Sequence, residues 1–188
     1  MMEFAPFMLD PVLTHAVGAA LSVLLMAGAW HKLRDIEIFR GAVENYRLLP
    51  ESLLGPVAWA VPVGELAAGV FLLFAATRFV GAVLAILLLL GVTSAVVVNL
   101  LRGRVDIDCG CGGLVGHVGE QPLSWFLVGR NVVLASAVVF ALGDESPRVL
   151  VWIDYLSVAG GTLALVGLHV AANQLLANQP RLQSLRNH

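Results

Sequence analysis

Charged residues are scarce in this chain. Asp, Glu, Lys and Arg together make up 13% of its 188 residues, whereas a soluble domain usually carries about 25%. So few charges cannot cover a water-facing surface, and the composition therefore favours a membrane protein. The chain also lacks a basic excess, with a net charge of −2 at pH 7, which argues against a nucleic-acid partner. Its length leaves room for one domain, residues 1–188.

Basic residues are also missing from the N-terminus. The segment "MMEFAPFMLDP" precedes the first hydrophobic run and contains no Lys or Arg. A secretory signal peptide carries a positively charged segment at that position. We therefore expect the first hydrophobic run to be kept as a helix of the protein.

Long hydrophobic runs, in contrast, are abundant. A helix that crosses a bilayer needs roughly 20 predominantly apolar residues. Five stretches meet this condition, at about residues 11–31, 53–76, 79–101, 123–142 and 151–176. The sequence therefore predicts an all-α, polytopic membrane bundle of about five transmembrane helices in contact with the lipid bilayer.

The segment between the first two runs, about residues 34–48, has a different pattern. Ile36, Phe39, Val43 and Tyr46 recur at spacings of three and four, with charged residues between them. This pattern is typical of an amphipathic helix at the membrane surface. The four side chains are candidates for docking a partner protein, and the alternative is a solvated helix without a partner.

Cysteine occurs only twice, in the stretch "RVDIDCGCGG" (104–113) of a predicted loop, 102–122. A disulfide between Cys109 and Cys111 would close a small, strained ring, and strain makes a disulfide easier to exchange. The neighbouring glycines permit the unusual backbone angles of such a ring and the close approach of another protein. We therefore predict that the two cysteines carry out thiol–disulfide exchange, with Cys109 as the sulfur that faces the partner.

Two other uses of the cysteines stay open. A metal site could combine both cysteines with His117 and either His31 or Asp108, but zinc sites usually show paired ligands at regular spacing, so no metal is expected. A permanent disulfide would brace only three residues and stabilise little; it would leave the chain as a non-catalytic membrane scaffold.

The number of cysteines limits the redox mechanism. Relaying electrons between two thiol pairs requires four cysteines, and the chain has two. The pair must therefore exchange with a thioredoxin-like partner, pass electrons to a membrane quinone, or isomerise disulfides. On this hypothesis the chain is a thiol–disulfide oxidoreductase that acts with a partner protein.

Ionisable side chains inside membrane helices are costly and are candidates for function. Glu65 and Arg130 lie in the second and fourth runs, roughly 18 and 10 Å along their helices from the face that carries the cysteines. We expect either an ion pair between them or a proton route or quinone contact beneath the cysteines. His31, at the end of the first run, is a candidate proton donor or an interfacial anchor.

Four segments together resemble the methylamine-utilisation protein MauE family: "WHKLRDIEIFRGAVENYRLLP", "GELAAGVFLL", "RGRVDIDCGCGG" and "WFLVGRNVVL". Cys109 and Cys111 match the Cys-x-Cys pair of the family, Glu65 its second-span acid, and Arg130 with Asn131 its fourth-span Arg-Asn. The resemblance implies a protein of the bacterial inner membrane that is needed to mature methylamine dehydrogenase. It also implies MauD, a membrane-anchored thioredoxin-like protein, as partner, and the disulfide-rich periplasmic small subunit of the enzyme as the target.

Two arguments about orientation disagree. With five spans, the 34–48 helix and the cysteine loop lie on the same side. That side carries eight Lys or Arg, which the positive-inside rule would place in the cytoplasm; they are Lys32, Arg34, Arg40, Arg47, Arg102, Arg104, Arg181 and Arg186. Disulfides persist in the periplasm and not in the cytosol, and the resemblance implies a periplasmic target. We therefore expect the loop to be periplasmic.

Overall fold

A computed structural model describes the backbone of residues 8–110 and 122–186, and the side chains of these ranges as far as Leu175. The described residues form six α-helices and no strand beyond two isolated bridges. The all-α prediction is confirmed. The helices are α1 (Pro11–Arg34), α2 (Ile36–Asn45), α3 (Glu51–Leu73), α4 (Arg78–Leu101), α5 (Trp125–Ala141) and α6 (Trp152–Arg186).

The long helices coincide with the predicted spans. α1, α3, α4 and the part Trp152–Leu175 of α6 are long and apolar enough to cross a membrane, while α5 is a shorter apolar helix of 17 residues. At 1.5 Å per residue α5 measures roughly 26 Å, close to the thickness of the hydrocarbon core. The helix of α6 continues ten residues past the predicted end at 176, because helical hydrogen bonds do not require apolar side chains.

α1 lies at the centre of the bundle. It packs against α2, α3, α5 and α6, while α4 packs against α3 and α5. Among the described residues, α5 and α6 do not pack directly against each other. The two helices therefore flank α1 without close contact between their backbones.

The contact between α3 and α4 depends on a glycine. A Cβ atom at Gly81 would lie 2.7 Å from the backbone nitrogen of Leu72 and 3.0 Å from the carbonyl oxygen of Ala68. Neither backbone atom can move away without shifting the helix. Small residues thus allow close helix approach, as they commonly do in membrane bundles.

We expect Gly81→Ala to destabilise the protein by about 1–3 kcal/mol, the usual cost of overpacking. Gly91→Ala, on the same helix, is the matched control because a Cβ at Gly91 meets nothing within 4 Å. The free energy of unfolding in detergent, measured by denaturant titration, compares the two variants. Equal stability of both would contradict the close packing of α3 and α4.

The end of the bundle away from the cysteines is held by Glu145, in the connection between α5 and α6. Its carboxylate accepts a hydrogen bond from the Thr14 hydroxyl at 2.8 Å and forms an ion pair with Arg78. Burial raises the pKa of Glu145, but these hydrogen bonds and the positive charge of Arg78 outweigh burial and lower it overall. α1, α4 and the α5–α6 connection are therefore joined at this end.

Candidate functional site

The stretch that leads to the cysteines is fastened to the start of α5. The backbone nitrogen of Leu123 donates to the carbonyl oxygens of Val105 and Ile107, at 3.1 and 3.2 Å, and Asp108 forms an antiparallel bridge with Pro122. Both ends of the predicted loop are thus held together. Cys111 and His117 lie outside the described residues.

Cys109 is buried at the end of the bundle. It is 5% exposed and belongs to an apolar cluster with Tyr46, Val96, Leu123 and Leu127. The stretch before it folds back onto the ends of α4 and α5, so that Cys109 faces the protein interior. This differs from the sequence-based expectation that Cys109 faces a partner.

α2 forms the support for the cysteine stretch. The Tyr46 hydroxyl donates to the carbonyl oxygen of Cys109 at 3.1 Å. Gly110 has a φ of +66°, and a Cβ at this position would lie 3.2 Å from Ala42 and 3.3 Å from the Phe39 ring. Both the backbone angle and the space require glycine here.

The apolar face of α2 is directed inward. Phe39 and Tyr46 are 6% and 8% exposed, and Ile36 and Val43 are partly buried. The amphipathic helix is where the sequence predicted it, but two of the four predicted docking side chains are covered by the protein itself. The role of the four in partner docking stays a prediction.

Arg104 links α2 to α4 beside Cys109. Its guanidinium donates to the carbonyl oxygens of Asn45 and Tyr46, at 2.8 and 3.2 Å, and to the side-chain oxygen of the fully buried Asn99 at 3.1 Å. The last carbonyls of a helix have no partner inside it and attract cations. Sequence reasoning missed this role, because Arg104 lies in the predicted loop 102–122.

Replacing Arg104 with Gln is expected to loosen the support of Cys109. Hydrogen bonds from a charged group contribute about 1.5–3 kcal/mol each, so we expect alkylation of Cys109 to become at least about tenfold faster. The rate is measured with N-ethylmaleimide on reduced protein that also carries Cys111→Ser. Arg102→Gln is the control, because Arg102 is exposed; the same acceleration in both variants would argue against the link.

A buried ion pair lies deeper in the bundle. The Lys32 ammonium is 2.7 and 2.9 Å from the two carboxylate oxygens of Glu65, and the two side chains are 8% and 13% exposed. Lys32 thus provides a cation for Glu65 that sequence reasoning did not consider, and the pairing of Glu65 with Arg130 stays a prediction. Lys32 can reach Glu65 because α1 packs directly against α3, and the long lysine stem reaches inward from the last turn of α1.

Glu65 and Arg130 nevertheless line one cavity of about 110 Å³. Its polar lining also includes Lys32, Asn131, His169 and Asn173. The two predicted membrane-buried charges are thus brought to one place. His31 is partly buried in the last turns of α1 and does not line this cavity, so its role as a proton donor stays a prediction.

The cavity lies about one helical turn beneath Cys109. On α4, Val96 packs with Cys109, while Val92, one turn further in, lines the cavity. On α5, Leu127 packs with Cys109, and Arg130, three residues on, lines the cavity. One turn corresponds to about 5.4 Å along a helix, so the cavity and the cysteine pocket are neighbours.

No cluster of three or more His, Cys, Asp or Glu side chains that could hold a metal ion occurs among the described residues. Cys111 and His117, two of the ligands in the metal alternative, are not among them. The polar groups that line the cavity are two cations, one carboxylate, one imidazole and two amides, and the nitrogen donors among them can bind an oxygen acceptor.

Known proteins resemble the chain over most of its length. The family model described as methylamine utilisation protein MauE matches residues 10–143. The methylamine utilization protein MauE of Paracoccus denitrificans is 42% identical over 74% of this chain and 74% of its own. The protein of the same name from Methylophilus methylotrophus is 38% identical over 83% of this chain and 78% of its own. No solved structure matches the chain.

Proposed function

Because the chain belongs to the MauE family of methylamine utilisation proteins, we propose that it exchanges disulfides through Cys109 and Cys111 with a thioredoxin-like partner. The exchange serves disulfide formation in the small subunit of methylamine dehydrogenase. The partner is a MauD-like protein, and the cysteine loop lies on the periplasmic side of the bacterial inner membrane.

The surroundings of Cys109 carry this proposal. A cluster of apolar side chains packs around Cys109, the Tyr46 hydroxyl donates to its carbonyl oxygen, and Arg104 holds the neighbouring end of α2. Gly110, which separates the two cysteines, has a left-handed backbone conformation. A Cys-x-Cys disulfide needs unusual backbone angles of this kind, and its strain favours exchange.

The burial of Cys109 assigns different roles to the two sulfurs in this proposal. A partner cannot reach a residue that is 5% exposed, so its thiolate attacks the sulfur of Cys111. The Cys109–Cys111 bond breaks, Cys109 leaves as a thiolate, and a mixed disulfide with the partner forms. The second thiolate of the partner then attacks its own half of the mixed disulfide, which leaves the partner oxidised and the Cys109–Cys111 pair reduced by two electrons.

Trapping the mixed disulfide tests the proposal. In cells with their native membrane and periplasmic proteins, the Cys111 thiolate of Cys109→Ser can attack the disulfide of an oxidised thioredoxin-like protein, which is the reverse of the exchange above. Without the Cys109 sulfur this chain cannot complete that reverse reaction, so we expect a covalent adduct between Cys111 and the thioredoxin-like protein. Non-reducing gels and mass spectrometry identify the adduct. Cys111→Ser is expected to give little adduct, and the double serine variant none. An adduct from Cys111→Ser alone would reverse the assigned roles.

One observation favours a second candidate, a non-catalytic scaffold that recruits the partner and keeps Cys109–Cys111 as a static bond. The cysteine stretch is held by hydrogen bonds at Tyr46, Arg104 and Leu123. A rigidly held stretch also fits a permanent disulfide. Absence of an adduct from every variant, with enzyme maturation intact, would support the scaffold and contradict exchange.

A further inference from the structure

The cavity beneath Cys109 has a polar end and an apolar wall. The polar end is formed by charged and amide side chains from α1, α3, α5 and α6, and the wall by leucines from α1, α4 and α5. Its volume of about 110 Å³ approaches that of an engineered cavity of about 150 Å³ that binds benzene. Because the cavity is smaller than that one, its lining suits the oxygen-bearing edge of a ring whose apolar remainder extends out of the cavity.

The charges at the polar end favour an oxygen acceptor. Lys32 and Glu65 compensate each other, whereas the described hydrogen bonds of Arg130 are long, 3.4 Å to Asn131 and 3.5 Å to Asn173, and both acceptors are neutral amides. A guanidinium at membrane depth with such weak partners is well placed to donate to a ligand oxygen.

The amide of Asn173 is oriented by its neighbours. Its nitrogen lies 2.9 Å from Nε2 of His169, while its oxygen faces Arg130. His169 and Asn173 belong to α6, outside the residues 10–143 that the family model matches. The part of the cavity lining that comes from α6 therefore lies outside the family match.

α5 and α6 both contribute side chains to the lining of the cavity. The two helices pack against α1 rather than against each other among the described residues, and the contact of Arg130 with Asn173 bridges them. From Tyr155 to Leu175 no side chain of α6 is fully buried. A lipid-soluble ligand can approach from this side.

We propose that the cavity binds the head group of a membrane quinone, with a carbonyl oxygen accepting a hydrogen bond from Arg130. The inference rests on the proposed function, because the quinone accepts the electrons that the cysteine pair has received from the partner. When the reduced cysteines form their S–S bond, two S–H bonds break and two electrons and two protons are released. The quinone takes up both and leaves as quinol, which restores the disulfide for the next exchange.

Ligand binding is measured on a protein that cannot exchange disulfides. The double variant Cys109→Ser/Cys111→Ser, purified in detergent, is titrated with decylubiquinone, and the quenching of tryptophan fluorescence gives Kd. Adding Arg130→Gln is expected to raise Kd about ten- to a hundredfold, the effect of losing a hydrogen bond from a charged group. Adding Arg34→Gln, at an exposed arginine, is expected to leave Kd unchanged.

A second variant covers the case in which Arg130→Gln fails to fold. Leu134→Trp places a larger side chain in the cavity without removing a charge. It is expected to raise Kd as much as Arg130→Gln does. Absence of saturable quinone binding, or a Kd that neither variant changes, would overturn the inference. So would saturable binding of decanoate, dependent on Arg130, without binding of the quinone, since the site would then take a fatty acid.

The electron transfer is measured separately. Reduced protein with both cysteines intact is expected to convert one decylubiquinone per chain to quinol, followed by absorbance, and the double serine variant none. Quinone binding without this reaction would leave the site in place and count against its redox role. A trapped partner adduct without quinone binding would support disulfide exchange and overturn only this inference.

Discussion

Serine at either Cys109 or Cys111 is expected to reduce the yield of active methylamine dehydrogenase in cells to that of a strain without this protein. A hydroxyl cannot form a disulfide, so neither variant completes the two-sulfur exchange on which the proposed function depends. The activity of the enzyme with an artificial electron acceptor gives the yield, and mass spectrometry of the small subunit gives its disulfide content.

Leu123→Val is the control for this experiment. Leu123 is 3% exposed and packs in the same cluster as Cys109, so the variant disturbs the packing while both sulfurs remain. Removing one buried methylene group costs about 0.5–1.5 kcal/mol, and we expect most of the enzyme activity to be retained. Full maturation with both single serine variants would contradict the exchange mechanism.

Lys32→Met is expected to destabilise the protein by about 3–5 kcal/mol, the usual effect of removing one member of a buried ion pair. The variant takes away the cation 2.7 Å from a Glu65 carboxylate that is 13% exposed. The double variant Lys32→Met/Glu65→Leu leaves no charge behind and is expected to recover most of the loss, because an apolar pair of similar volume is often as stable. Denaturant titration in detergent measures each free energy of unfolding.

The matched control is the exposed pair on α2. Arg40 lies 3.9 Å from Glu37, and the two side chains are 47% and 82% exposed. Surface pairs contribute about 0–1 kcal/mol, so Arg40→Met should change stability little. If Lys32→Met were no more destabilising than Arg40→Met, the Lys32–Glu65 pair would not be a buried structural element.

The positions of the helices were predictable from sequence, but the full length of α6 was not. The hydrophobic runs at 11–31 and 79–101 lie within α1 and α4, because the length of an apolar stretch is a local property of the chain. The spacing of Phe39 and Tyr46 predicted α2 for the same reason. The polar C-terminal extension of α6 carried no such signal and was missed.

The candidate site was predicted in its residues but not in its geometry. The sequence by itself determined that the chain forms membrane helices, that its two cysteines follow one of them, and that Glu65 and Arg130 lie at membrane depth. Only the tertiary structure decided that Cys109 faces inward, that Lys32 pairs with Glu65, and that His169 and Asn173 complete the cavity. Periodicity reports which residues share a face of one helix, whereas these contacts depend on how each helix is rotated against its neighbours and how far its long side chains reach.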